Sequence, residues 1–185
     1  MKRKRIASIR LEGYPALVPM IDSEYIYIRR QLLIDYPHIN IPKKEDMLLN
    51  GDTLWYININ PFKLHIEYSS GKMMVISFEV GFPTDNGSIP SFAQGWIKNN
   101  DPNCILAFFA HDLVYQTKEF GINRKGFKMA NRLLRDICDY YKKDWVKHSV
   151  IESAVNSHFG WSNYKKRFER DRIPYGTVSI IKKGE

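Results

Sequence analysis

Three short segments, 54–59, 64–68 and 73–80, are rich in β-branched, aromatic and apolar residues and are parted by Asn60-Pro61 and Ser69-Ser70-Gly71-Lys72. Breakers at those places end a strand and turn the chain back, so the spacing predicts a three-stranded antiparallel meander. From residue 104 onward the period changes from two to about three and a half. Ile105, Phe108, Phe109 and Asp112 stand at i, i+3, i+4 and i+7, and Cys104, Ala107, Phe108, His111 and Tyr115 form an overlapping stripe. A second helix is expected over 124–141, with Phe127, Ala130, Leu133, Leu134, Ile137 and Tyr141 on one side. A third is expected over 144–156, with Val146, Val150, Ile151, Ala154 and Val155 as its stripe. Strands followed by helices, rather than alternating with them, predict an α+β domain: a small antiparallel meander, then a three-helix core. A last strand is expected at 177–181.

The flanks are less patterned. Residues 1–50 contain Pro37, Pro42 and a weak alternation at Tyr25-Ile26-Tyr27-Ile28, which reads as an irregular arm with one short strand or helix, ahead of a single domain over 51–185. Residues 84–103 have Gly, Pro, Asn and Ser throughout, with Phe92 and Trp96 as apolar anchors, and are expected to form a structured loop.

At 185 residues one core can be buried and a second catalytic domain does not fit. No apolar run approaches the ~20 residues of a bilayer span, and the basic start Met1-Lys2-Arg3-Lys4-Arg5 lacks the apolar stretch of a signal peptide. Cys104 and Cys138 fall in expected helices and read as packing residues, for which a reducing compartment suffices. The net charge of +8 is concentrated at the ends: residues 1–30 and 161–185 each hold seven Lys or Arg against three acids, and the middle is balanced. Such ends are ordinarily solvated, and anionic lipid or nucleic acid is the partner class they would suit.

Chemistry is concentrated in two places. On the first helix His111 and Tyr115 lie one above the other and Asp112 projects about 100° around the axis. Thr84-Asp85-Asn86-Gly87-Ser88-Ile89-Pro90 is a polar loop of the kind that bends around an ion or anionic ligand. A neutral imidazole at 111 could act as general base on water, with a carboxylate at 112 holding a divalent cation that polarises a carbonyl or phosphoryl oxygen. Ca²⁺ needs six to eight oxygens, for which Asp85 and main-chain carbonyls of Asn86-Gly87-Ser88 are the available partners. Tyr115 would anchor a carboxamide or carboxylate from the second helix. The competing reading is a satisfied core pair that ties helix to loop. His38, His65, His148 and His158 are scattered without zinc-site spacing and are expected to be surface or core residues. Ser88 and Ser91 lack the flanking glycines of a hydrolase nucleophile elbow.

Val80-Gly81-Phe82-Pro83-Thr84-Asp85-Asn86-Gly87-Ser88-Ile89-Pro90, then Ala110-His111-Asp112-Leu113-Val114-Tyr115, then Arg124 with Ala130-Asn131, resembles domain of unknown function family 1353, found mainly in tailed phages and prophages. The resemblance covers roughly residues 75–165. That pattern is in turn similar to secreted prokaryotic phospholipase A(2), where an Asp-Gly-Cys-Ser loop precedes a His-Asp-x-x-Tyr helix and a second helix supplies another Asp. The similarity implies Asp85 and Asp112 as calcium ligands, His111 as the group that activates water, and Tyr115 as the group positioning the second-helix partner. Thr84, Gly87 and Ser88 would belong to the loop. Here that partner is Asn131 rather than Asp, which can hold a tyrosine hydroxyl but cannot stabilise an imidazolium by charge; the loop has Gly87 where the disulfide-bonded cysteine would stand. The implied function is a calcium-dependent esterase or phospholipase-like hydrolase acting on lipid or cell envelope. The alternative is a non-catalytic virion protein of tail or neck, structural or assembly in role, with other phage virion proteins as partners. Either places the protein in host cytoplasm or virion.

Overall fold

The computed structural model describes residues 5–20, 22–39, 41–42, 56–84, 104–142, 144–157, 160–162, 164–165 and 176–182. It is an α+β fold of antiparallel sheets and a helical core. A four-stranded sheet has the order β1 (Ile6–Glu12), β4 (Phe62–Tyr68), β5 (Lys72–Phe78), β7 (Gly176–Lys182), with every neighbouring pair antiparallel. A smaller sheet joins β2 (Leu17–Pro19), β3 (Tyr56–Asn58) and β6 (Pro83–Thr84). Helices among the described residues include α1 (Asp22–Asp35), α2 (Ile105–Thr117), α3 (Arg124–Tyr141) and α4 (Trp145–Val155).

The hairpin β4–β5 follows from period-two patterning. Phe62, Leu64 and Ile66 face Phe78, Ile76 and Met74 in register, and all six are buried. Slipping this register by one residue would turn the whole apolar set to solvent. Gly71 closes the turn at φ 77°, a left-handed conformation that side chains resist, and its N–H donates to the Tyr68 carbonyl at 2.8 Å. On the buried face Phe62 stacks on Phe78 with centroids 4.4 Å apart, and Phe109 of α2 meets both rings edge-on at 5.5 and 5.6 Å. These contacts seat α2 on the sheet.

α2 is buried without a break from Ala107 to Tyr115, as befits a helix apolar on nearly all sides. The sheet covers one side and α3 another. α3 is amphipathic and starts cleanly, because Asn123 Oδ1 accepts from the main-chain N–H groups of Lys125 and Gly126, each at 3.0 Å. β7 enters through Gly176, where a Cβ would stand 2.2 Å from the Ser77 carbonyl oxygen and 2.9 Å from Leu113, so only glycine fits between strand and helix.

Two expectations take a different form. The segment at 54–59 contributes Tyr56–Asn58, which pairs with β2 and β6 and not with the adjacent β4. Asn58 ties the strand there: its main-chain N–H donates to the Phe82 carbonyl, its side-chain oxygen accepts from Ala16 N–H, and its amide nitrogen donates to the Asn60 and Glu79 carbonyls. The N-terminal region holds two strands and a helix of 14 residues where one short element was expected. β1 alternates poorly because it is an edge strand, paired on one side with β4. α1 packs Tyr25 and Leu32 with Met20, Ile41, Ile57 and Val80 in a second small core.

Candidate functional site

Four of the expected residues converge between α2 and α3. Asn131, fully buried on α3, is the hub. Its amide nitrogen donates to the Val155 carbonyl at 3.2 Å and to Asn156 Oδ1 at 2.9 Å, at the end of α4. A main-chain carbonyl can only accept, so this fixes which end of the amide is nitrogen. The oxygen therefore faces α2, where it accepts from the Tyr115 hydroxyl and lies 2.9 Å from His111 Nε2.

The consequence for His111 is chemical. An amide oxygen has no proton to give, so Nε2 must carry the hydrogen, and in the neutral ring the lone pair is on Nδ1. Nδ1 lies 3.7 Å from Asp112 Oδ1. The other carboxylate oxygen, Oδ2, accepts from Thr84 Oγ1 at 2.8 Å, so β6 holds the acid in place. The Tyr115 ring packs on the imidazole with centroids 3.9 Å apart. A basic nitrogen thus stands beside a carboxylate, each fixed from behind by a neutral hydrogen-bonding group. Solvent access is narrow, with 11% of the His111 side chain and 8% of the Asp112 side chain exposed.

Thr84, His111, Asp112, Tyr115 and Asn131 are thus brought together. Asp85, Gly87 and Ser88, with the rest of the loop to residue 103, lie outside the described residues. Asn156 and the Val155 carbonyl had no sequence signal, since an asparagine just past a helix reads as an ordinary stop.

A second polar cluster joins three helices. Cys104, at the N-cap of α2, Cys138 on α3 and His148 on α4 place their ligand-type atoms within 4.8 Å of one another, and all three residues are buried. His148 Nδ1 lies 2.5 Å from Asp139 Oδ1. Burial disfavours the imidazolium, yet hydrogen bonding with Cys104 and Asp139 outweighs it and raises the His148 pKa above the usual histidine value. The cysteines pack, as expected, but against each other and against a histidine that spacing alone left isolated. Of the other histidines, His65 lies 3.1 Å from surface Glu12, His38 is an exposed turn residue, and His158 lies outside the described residues.

No known family model, curated protein or solved structure matches this chain.

Proposed function

We propose that the protein is a hydrolase of ester or phosphoester bonds, of the calcium-dependent phospholipase-like kind, encoded by a phage and directed at lipid or cell envelope. The reading rests on one observation: Asn131, oriented by Val155 and Asn156, commits Nε2 of His111 to donate and leaves Nδ1 as a base next to Asp112. In the step this serves, Nδ1 takes a proton from water as the water oxygen attacks the carbonyl or phosphoryl centre, and the imidazolium then returns that proton to the leaving oxygen. The Asn131 oxygen keeps the ring oriented throughout. It supplies no charge, which sets a slower rate than an aspartate would.

The residues fit a hard cation in part. Asp112 offers a carboxylate, and Asp85 with carbonyls of 86–88 would complete an oxygen shell; bound there, Ca²⁺ would polarise the scissile group.

Release of fatty acid from phospholipid vesicles by the full chain, followed in calcium and in chelator, tests the proposal. Calcium-dependent release that falls at least ~100-fold in His111→Gln is expected. Absence of release from any vesicle composition, with no thermal stabilisation by millimolar calcium, overturns it. A second reading, a non-catalytic tail or neck protein, draws on the near-complete burial of the same residues and on the hydrogen bonds that tie His111 to Asn131 and Asp112 to Thr84. It expects His111→Gln to lower stability in a protein with no hydrolytic activity to lose.

A further inference from the structure

We propose that Cys104, Cys138 and His148 form a metal site of the zinc class that pins α2, α3 and α4 together. Two thiols and an imidazole are the soft donor set that selects zinc over calcium or magnesium. They come from three different helices, all three are buried, and their donor atoms already stand within 4.8 Å of one another. A Zn–S bond of roughly 2.3 Å at the tetrahedral angle sets sulfur atoms about 3.8 Å apart, so closure by ~1 Å brings three of the four tetrahedral ligands to bonding distance, with a water to fill the fourth position.

The histidine is prepared for this role from behind. Its Nδ1 is engaged by Asp139, so a metal would take Nε2 in place of the hydrogen bond with Cys104, in the carboxylate–histidine–metal arrangement that fixes ring and tautomer. Asp139 is held in turn by Arg135, whose Nε lies 3.6 Å away. A Cys104–His148–Asp139 nucleophilic triad has the same connectivity, but Cys104 and His148 are 0% and 1% exposed, and no substrate reaches a sulfur so enclosed. A small ion, by contrast, needs only a transient opening. The site is independent of the hydrolytic one: His111 is seven residues along α2 from Cys104, or about 10 Å along the helix axis.

The test titrates the full, reduced, metal-stripped chain with Co²⁺ and then Zn²⁺. Support is one equivalent of Co²⁺ giving a thiolate charge-transfer band with the visible bands of a tetrahedral ion, displaced by one equivalent of Zn²⁺, with a higher Tm in zinc. Cys138→Ser should abolish the band. Because that variant sits in the core and can unfold, Asp139→Ala, at a partly exposed position, serves as the second variant and should weaken affinity about 10- to 100-fold while the helical circular dichroism is retained. Wild-type protein with no thiolate band and no change of Tm overturns the site. So does a Cys104–Cys138 disulfide whose reduction restores no metal uptake. None of these readouts involves hydrolysis, so failure here leaves the proposal for His111 standing.

Discussion

Asn131 shows how one uncharged side chain can satisfy polar neighbours on both of its sides. Its amide donates twice toward the end of α4 and accepts twice from α2, using both ends of an uncharged group. A carboxylate at 131 would suit an imidazolium better but would turn an oxygen toward the Val155 carbonyl. Asn131→Asp is therefore expected to cost about 1–3 kcal/mol of stability, measured by denaturant unfolding, because a buried acceptor loses its donor and faces a charge. Under the proposed hydrolysis, a folded Asn131→Asp variant should turn over faster than wild type, since the charge then stabilises the protonated ring. Resemblance placed Asn131 in the site; its partners at 155 and 156 came only from the fold, since nothing local in the chain links residue 131 to the end of the following helix.

At the scale of elements, caps and close approaches position the site. α3 must start in register to bring Asn131 to His111, and Asn123 sets that start through its two hydrogen bonds to main-chain N–H groups. Asn123→Ala should destabilise the protein by roughly 0.5–2 kcal/mol without changing the secondary-structure content, checked by thermal unfolding followed by circular dichroism. The second and third core helices were legible from their stripes: expected at 124–141 and 144–156, they occur at Arg124–Tyr141 and Trp145–Val155. β4, β5 and β7 were legible for the same reason, since period two is a local property. The partner of β3 was not, because alternation says which face a strand buries and nothing about which neighbour receives its hydrogen bonds.

Across the whole molecule, sheet and helices are joined by buried polar groups as well as by apolar packing. Tyr68, on β4, has its phenol pushed up to about 12 by burial and by the charge of Asp136 on α3. Folding thus favours the neutral phenol. That contribution is complete below pH 10, the unfolded value, and is lost as pH rises from about 10 to about 12. Tyr141 and Tyr164, both raised by burial, act in the same direction. Tyr68→Phe should therefore lose less stability than wild type over that interval, as seen in denaturant midpoints at a series of alkaline pH values; equal losses would remove Tyr68 from the account. The ends of the chain reach the sheet through β1 and β7, which occupy its opposite edges. No helix among the described residues is long and apolar enough to cross a membrane.

Sequence by itself determined the α+β class, the helical stripes, most strands, and the placing of His111, Asp112 and Tyr115 on one helix, because each is set by spacing within a dozen residues. Tertiary structure alone decided that Thr84 meets Asp112, that Asn131 is oriented by the end of α4, and that Cys104, Cys138 and His148 meet. Those contacts join residues on separate elements, brought together by the apolar faces that each element buries, and side-chain spacing along a chain carries no record of which polar groups that burial will leave face to face.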